Sequence, residues 1–363
     1  MTDDVRETLA TAFDSETDPL EQYSSTFEEV AVDSFEPFRT GVLESRDITP
    51  RTIRLYETLW RQWCEHMDRV GRHPACPSTA HVKSFAQYEL DESDNSPRTV
   101  AEKLRKLNDL YRYWQNDPVF PHPTNFNPVS LARSTTDLSY PEQKEPPRLT
   151  VDELAAQLAT VDHVRDHAII FLQLKLGLRA TELCNLRLEE LSITDSELHD
   201  YYPEFGSHTL LDGREDAILI PHDRSGNKSR RSRVLPLDAE TQEILLEYLL
   251  IRPDNDEPWV FLSKNSHEQL QKQDINKFWK RYFHPEYEET EQHRAVTSHY
   301  GRHRFTTYWR VEQDLNRELL KYMRGDTPGA ATIEEMGAID EYIHTYYEDI
   351  EPIYREDIYE LTG

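Results

Sequence analysis

With 363 residues, the chain is long enough for two domains that each bury a core, and its 41 basic against 68 acidic residues argue at first sight against a polyanionic partner. Three cysteines without paired spacing, Cys64, Cys76 and Cys184, indicate neither a disulfide framework nor a zinc site, so a reducing cytoplasm is the expected setting. No stretch approaches the roughly eighteen apolar residues of a membrane span, and the acidic segment Met1 to Glu36 is unlike a signal peptide, so a soluble protein is expected.

The distribution of the net charge of -27 changes its meaning. Residues 1–36 hold 11 acids and one base, residues 334–363 hold 10 acids and one base, and the 297 residues between them sum to only -8. Within that middle, Arg224 to Leu237 contains five bases and no acid, and Gln292 to Val311 contains four arginines, three histidines and no acid. These are two basic islands in an acidic protein. A surface so acidic resembles proteins of organisms that accumulate molar salt, where the Debye length falls to about 3 Å and self-repulsion is screened.

In chain order, residues 1–36 lack a sustained apolar period and read as a mobile acidic tail or a loosely attached helix. Thr49 and Pro50 supply an N-cap and a first-turn proline. Ile53, Tyr56, Trp60, Trp63, Met67 and Val70 then recur at helical steps up to Gly71. A second helix is predicted from Ser78 to Glu92. A third starts at Ser96 and Pro97 and carries Val100, Leu104, Leu107, Tyr111 and Trp114 on one stripe. Residues 37–139 therefore read as a helical bundle. Its outer faces bear Arg51, Arg54 and Arg61 on one helix and Arg98, Lys103, Arg105 and Lys106 on another, a pattern that also fits an ordinary solvated face.

The proline-rich stretch Tyr140 to Arg148 has linker composition, which places the boundary over residues 140–149. Thr150 and Glu153 form a capping box that opens a second domain, residues 150–363, with a helix through Leu158 and a more apolar one over Asp166 to Leu176, stopped at Gly177. Ala217 to Ile220 and Arg233 to Leu237 read as strands of a hairpin, with turn residues Ser225, Gly226 and Asn227 between them. Helices follow near Ala239, over Asp274 to Tyr282 and over Thr297 to Val311, ahead of an acidic C-terminal tail. No glycine-rich phosphate loop is present.

Four segments carry residues suited to phosphate chemistry. In LGLRATELCNLRL, Arg179 sits at a turn before a helix, where a guanidinium suits an anion, although a structural pair with Glu182 explains it equally well. In SGNKSRRSRVLPL, Lys228 lies at a hairpin turn eight residues before Pro236, with Arg230, Arg231 and Arg233 following. A lysine there can reach a polyanion and donate a proton, or can be mere basic surface. In TSHYGRHRF, Thr297 or Ser298 offers an N-cap, with His299 and Arg302 one turn apart and Arg304 beyond. A metal shared by His299 and His303 lacks a third ligand, and satisfied core histidines are the other alternative. In EEMGAIDEYIHTYYEDI, Tyr342, Tyr346 and Tyr347 have the spacing of packing aromatics.

Taken in order, GLRATEL at Gly177 to Leu183, Lys228 before VLPL, His299-Tyr-Gly-Arg302 and Tyr342-Ile-His344 resemble the catalytic domain of tyrosine recombinases, the family of phage integrases and Xer-type proteins. The resemblance covers roughly residues 37 to 350. It implies a mainly α fold with a small antiparallel β-sheet: an N-terminal helical, SAM-like core-binding domain for DNA and an α+β catalytic domain. It also implies a site-specific recombinase that cuts and rejoins DNA through a 3′-phosphotyrosyl intermediate without metal, ATP or other cofactor.

On that reading Arg179, Lys228, His299, Arg302 and Tyr342 are catalytic, and Arg51, Arg54, Arg98, Lys103, Arg105, Lys106, Arg230, Arg231, Arg233 and Arg304 contact DNA. The partner is a double-stranded recombination site, bound by a homotetramer that is a monomer or dimer off DNA. The family's second histidine or tryptophan falls at Gly325 here, within LKYMRGD, and the stretch from there to Tyr342 is longer than the pattern. Either that role is lost, or Asp326 or a water covers it. A type IB topoisomerase-like enzyme and an inactive DNA-binding descendant of a recombinase are the competing readings.

Overall fold

A computed structural model describes residues 2–13, 16–46, 48–139, 142, 144–194, 196–229, 231–326 and 343–362, which divide into two compact units, Met1–Glu142 and Gln143–Gly363.

The first unit is a helical bundle whose main helices begin at the signals written in the sequence. Thr49 accepts from the amide of Thr52 and caps Pro50–Arg69. Ser78 and His81 close a reciprocal capping box on Thr79–Asp91. Ser96 caps Pro97–Asn116, and Asn127 caps the shorter Pro128–Thr135, which the sequence had not announced. A proline at the first helical turn supplies the right φ where no amide is needed. Trp63, Met67, Phe85, Leu104, Tyr111 and Trp114 fill the core.

The expected mobile tail is corrected in part. Leu20 and Phe35 are buried at 0% and 3% exposure, Asp18 pairs with Arg72 at 3.0 Å, and the Trp114 indole donates to Ser34 O at 2.9 Å. Two buried apolar side chains contribute about 3 to 6 kcal/mol together, enough to hold this segment to the bundle. Val5 and Leu9 of Thr2–Ala12, Phe13 just after it, and Val30 and Val32 remain exposed.

The second unit is built around Val164–Leu176, in which eleven of thirteen residues are buried. A helix covered on all sides reads as apolar throughout, and its few polar groups need partners. Lys175, fully buried, meets Asp238 at 2.8 Å and Glu240 at 2.7 Å. Arg165 pairs with Asp166 and donates to Leu262 O. His299–Thr307 crosses this helix so closely at Gly301 that a Cβ would lie 2.8 Å from the Gln173 carbonyl carbon. Three antiparallel strands stand beside the helices in the order β1 (Leu191–Ser192), β2 (Ala217–Ile220) and β3 (Arg233–Pro236), with Ile218 opposite both Leu191 and Leu235. The two-residue β1 was too short to read from sequence.

The C-terminal segment is also more than a tail. The helix Ile343–Asp357 packs on β3, and Ile350, Tyr354, Ile358, Tyr359 and Leu361 are buried in the main core. Tyr354 Oη donates to Lys175 O at 3.1 Å, Tyr359 Oη to Leu174 O at 2.6 Å, and Lys175 Nζ to Tyr359 O at 2.6 Å. Acidic composition concealed this because the acids occupy the outer face while an aromatic stripe faces inward.

Candidate active site

Arg179 lies between two helices in extended conformation, and Glu182 one turn later fastens the turn. The carboxylate accepts from Arg179 N at 2.8 Å and from Arg179 Nη1 at 3.0 Å. The structural pairing weighed for Arg179 therefore exists, and it leaves Nη2 free to point elsewhere. Glu182 is 1% exposed and also receives Arg233 Nη2 at 2.9 Å and Ser229 Oγ at 2.5 Å. Burial alone would raise its pKa. The opposing Arg233 charge and hydrogen bonds from Arg233, Ser229 and Arg179 outweigh that and hold it at about 2. This carboxylate is the hub that ties the Arg179 turn to β3 and to the turn carrying Lys228.

Arg302 enters from His299–Thr307. The expected side-chain cap at Thr297 or Ser298 does not form; Tyr300 N instead donates to Thr297 O at 2.7 Å. Arg302 Nη1 donates to Gly177 O at 2.9 Å, and Nη2 donates to Arg324 O at 2.8 Å. Arg302 is 8% exposed. Burial, reinforced by the neighbouring Arg179 charge, pulls its pKa down to about 9.

Both guanidiniums converge on one atom. Arg179 Nη2 and Arg302 Nη2 each lie 2.9 Å from Asp326 Oδ1. Gly325, where the family's second histidine was expected, serves instead as the left-handed end of Arg317–Arg324, with φ 63°. A Cβ there would come 2.7 Å from Ser229 Oγ, so the position admits no side chain without displacement. Asp326, the next residue, reaches the arginines.

Lys228 is exposed in the turn between β2 and β3, and its neighbour Ser229 is buried against Glu182. Asn185 fixes the same turn by donating to Ser225 O at 3.0 Å and Asn227 Oδ1 at 2.9 Å, while Arg224 pairs with buried Glu190. His299 is solvent-accessible. Desolvation, followed by the positive charges of Arg294, Lys228, Arg302 and Arg179, lowers its pKa and favours the neutral ring at pH 7. Lys228 and both arginines therefore lie within electrostatic reach of this imidazole.

Tyr342 lies outside the described residues, as does Arg230. The two neighbouring tyrosines separate clearly. Tyr347 is 3% exposed and packs with Leu211, Ala217, Leu219 and Val234, and burial pushes its hydroxyl to about 12. Tyr346 stacks on Tyr322 with ring centroids 5.2 Å apart, and with Arg231 and Asp326 it lines one small cleft.

Several of the residues expected at DNA are engaged within the chain. Arg233 is 2% exposed and committed to Glu182 and Met323 O, so it braces the site from within. Arg304 is 7% exposed, paired with Glu312 and set over the rings of Tyr308 and Tyr359. Lys103 turns inward to Glu89, itself 2% exposed, at 2.6 Å. Arg105 bridges Glu102 and Asp109, and the Lys106 side chain, 15% exposed, lies along Glu102. Arg51, Arg54 and Arg98 are on the exposed surface, and Arg231 is half-buried.

Sequence reasoning missed Gln173, whose amide donates to Leu178 O and Ser298 O and accepts from the Trp279 indole at 2.6 Å. It locks the Arg179 and Arg302 segments together. A glutamine within the otherwise apolar stretch Ala168 to Leu174 was the available signal.

Two guanidiniums that converge on one anion position are an arrangement suited to holding a phosphate. Residues 147–323 match the Phage integrase family. Tyrosine recombinase XerA of Pyrococcus horikoshii is 26% identical over 182 residues, covering 50% of this chain and 53% of that protein. Tyrosine recombinase XerD of Listeria monocytogenes is 25% identical over 293 residues, covering 76% and 84%.

Among solved structures, the Tn1549 transposon integrase in complex with transposon right end DNA superposes with a TM-score of 0.57 at 20% identity, covering 86% of this chain and all of that one. The lambda integrase dimer bound to a core site gives 0.56 at 13%, covering 90% and 96%. The second unit thus carries a region that matches the phage integrase family, and the chain is similar to tyrosine recombinases.

Proposed function

We propose that this chain is a site-specific DNA recombinase that cleaves and rejoins strands through Tyr342. What carries the reading is the pair of guanidinium groups, Arg179 and Arg302, both 2.9 Å from a single oxygen. Two donors so placed fit two non-bridging oxygens of a phosphodiester and the extra charge of its pentacoordinate transition state, and losing either would cost about 3 to 4 kcal/mol by analogy with oxyanion donors. Tyr342 Oη attacks phosphorus, the bond to the 5′ oxygen breaks, and Lys228 delivers the proton that the leaving oxygen needs. Neutral His299 receives or relays the proton of the tyrosine. The 3′-phosphotyrosyl bond keeps the energy of the phosphodiester, so attack by a 5′ hydroxyl reseals the strand without ATP.

Arg51, Arg54, Arg98 and Arg231 would hold the duplex backbone. The lambda integrase relatives assemble on DNA as a dimer and as a tetramer on a Holliday junction, and the same assembly is proposed here. The acid-rich surface suits a cytoplasm of molar salt.

The test uses a nicked duplex selected for binding from a random library, incubated with the full chain near molar salt. A denaturant-resistant protein–DNA band is expected from the wild type, Tyr346→Phe and Tyr347→Phe, and none from Tyr342→Phe. Binding without a wild-type band would leave a DNA-binding descendant. Persistence of the band in Tyr342→Phe would move the nucleophile.

A further inference from the structure

We infer that Asp326 is a resident anion that occupies the phosphate position between Arg179 and Arg302 and has to be displaced before a phosphate can bind. The inference rests on the proposal that these two arginines are the phosphate clamp.

Asp326 Oδ1 sits 2.9 Å from each guanidinium, the separation and orientation of a non-bridging phosphate oxygen. A carboxylate and a phosphate cannot share these donors, because both are anions and each Nη2 is already engaged. The carboxylate is not required to hold the arginines in place. Arg302 keeps Gly177 O and Arg324 O as acceptors, and Arg179 keeps Glu182 Oε1. Occupancy of the anion position is what Asp326 adds.

An exit is also built in. Asp326 Oδ2 lies 2.9 Å from Arg324 Nε in an ion pair, although that Nε has no hydrogen-bond partner, so the charge is present without the directional bond. Rotation of the side chain toward Arg324 would complete that bond while vacating the clamp, and the Asp326 side chain is already 28% exposed. A site blocked in this way discriminates. A stray phosphate has only its own attraction to set against the carboxylate, whereas a phosphate delivered by a whole bound duplex brings the remaining contacts with it. Apparent affinity falls by the fraction of molecules with the clamp open.

The experiment titrates the full chain, without DNA, with inorganic phosphate at constant ionic strength held by chloride, following the melting temperature. Wild type is expected to respond weakly. Asp326→Asn and Asp326→Ser are expected to reach half-maximal stabilisation at a phosphate concentration at least tenfold lower, and adding Arg302→Gln to either is expected to abolish the gain. A purely structural aspartate would instead lower the melting temperature equally at every phosphate concentration.

Equal phosphate midpoints in wild type and both variants would overturn the inference, as would a gain that survives loss of Arg302. Because no DNA cleavage is read, absence of the covalent adduct in wild type would remove the recombinase reading while leaving this result to stand or fall separately.

Discussion

Replacing Glu182 by glutamine tests the frame of the site at its most buried charge. The carboxylate is held at about 2 against 4.5 for a free glutamate, which corresponds to about 3 kcal/mol of stabilisation at neutral pH. Glutamine keeps the shape but leaves Arg233, 2% exposed, without a counter-charge, and breaking a buried pair from one side costs about 3 to 5 kcal/mol. For a unit of this size that lowers the melting temperature by about 10 °C.

The folded-state pKa is depressed, so the contribution is complete above pH 4.5 and is lost as the pH falls toward 2. The difference between wild type and Glu182→Gln, measured by urea denaturation from pH 7 downward, is therefore expected to shrink below pH 4.5. A difference under about 1 kcal/mol at pH 7 would refute the argument. So would a difference that stays constant across that range.

Two further outcomes follow from charges placed at the surface. Since the His299 pKa is lowered, kcat/KM for adduct formation should hold as the pH falls to 6.5 and decline only below it, where the ring gains its proton, and His299→Gln should remove that limb; a limb centred above 6.5 would contradict the assignment. Replacing Arg51 and Arg54 together by alanine should reduce the slope of log affinity against log salt by about 2, whereas Lys103→Met should leave the slope alone and lower stability, because its ammonium is spent on Glu89. A slope change from Lys103→Met by itself would reverse that distinction.

Local chemistry was legible in the sequence wherever it depends on neighbours along the chain. Thr49 with Pro50, Ser96 with Pro97, and Thr150 with Glu153 opened the helices they announce, since a cap is satisfied within one turn. The strands at Ala217 and Arg233 could be read from an apolar run and a turn. The order of Arg179, Lys228, His299, Arg302 and Tyr342 was likewise sufficient to indicate the family.

Tertiary structure decided which charges face solvent. Arg233, Arg304 and Lys103 look like Arg51 in sequence, but buried Glu182, the rings of Tyr308 and Tyr359, and buried Glu89 hold them inward. Composition marked both ends as acidic tails, whereas Leu20, Phe35, Tyr354 and Tyr359 are buried, because one apolar side chain per turn is enough to dock a segment whose acids stay in water. The meeting of Arg179 and Arg302 across Asp326 joins residues 147 and 24 positions apart, a closure that only the packing of the helices around Gln173 brings about.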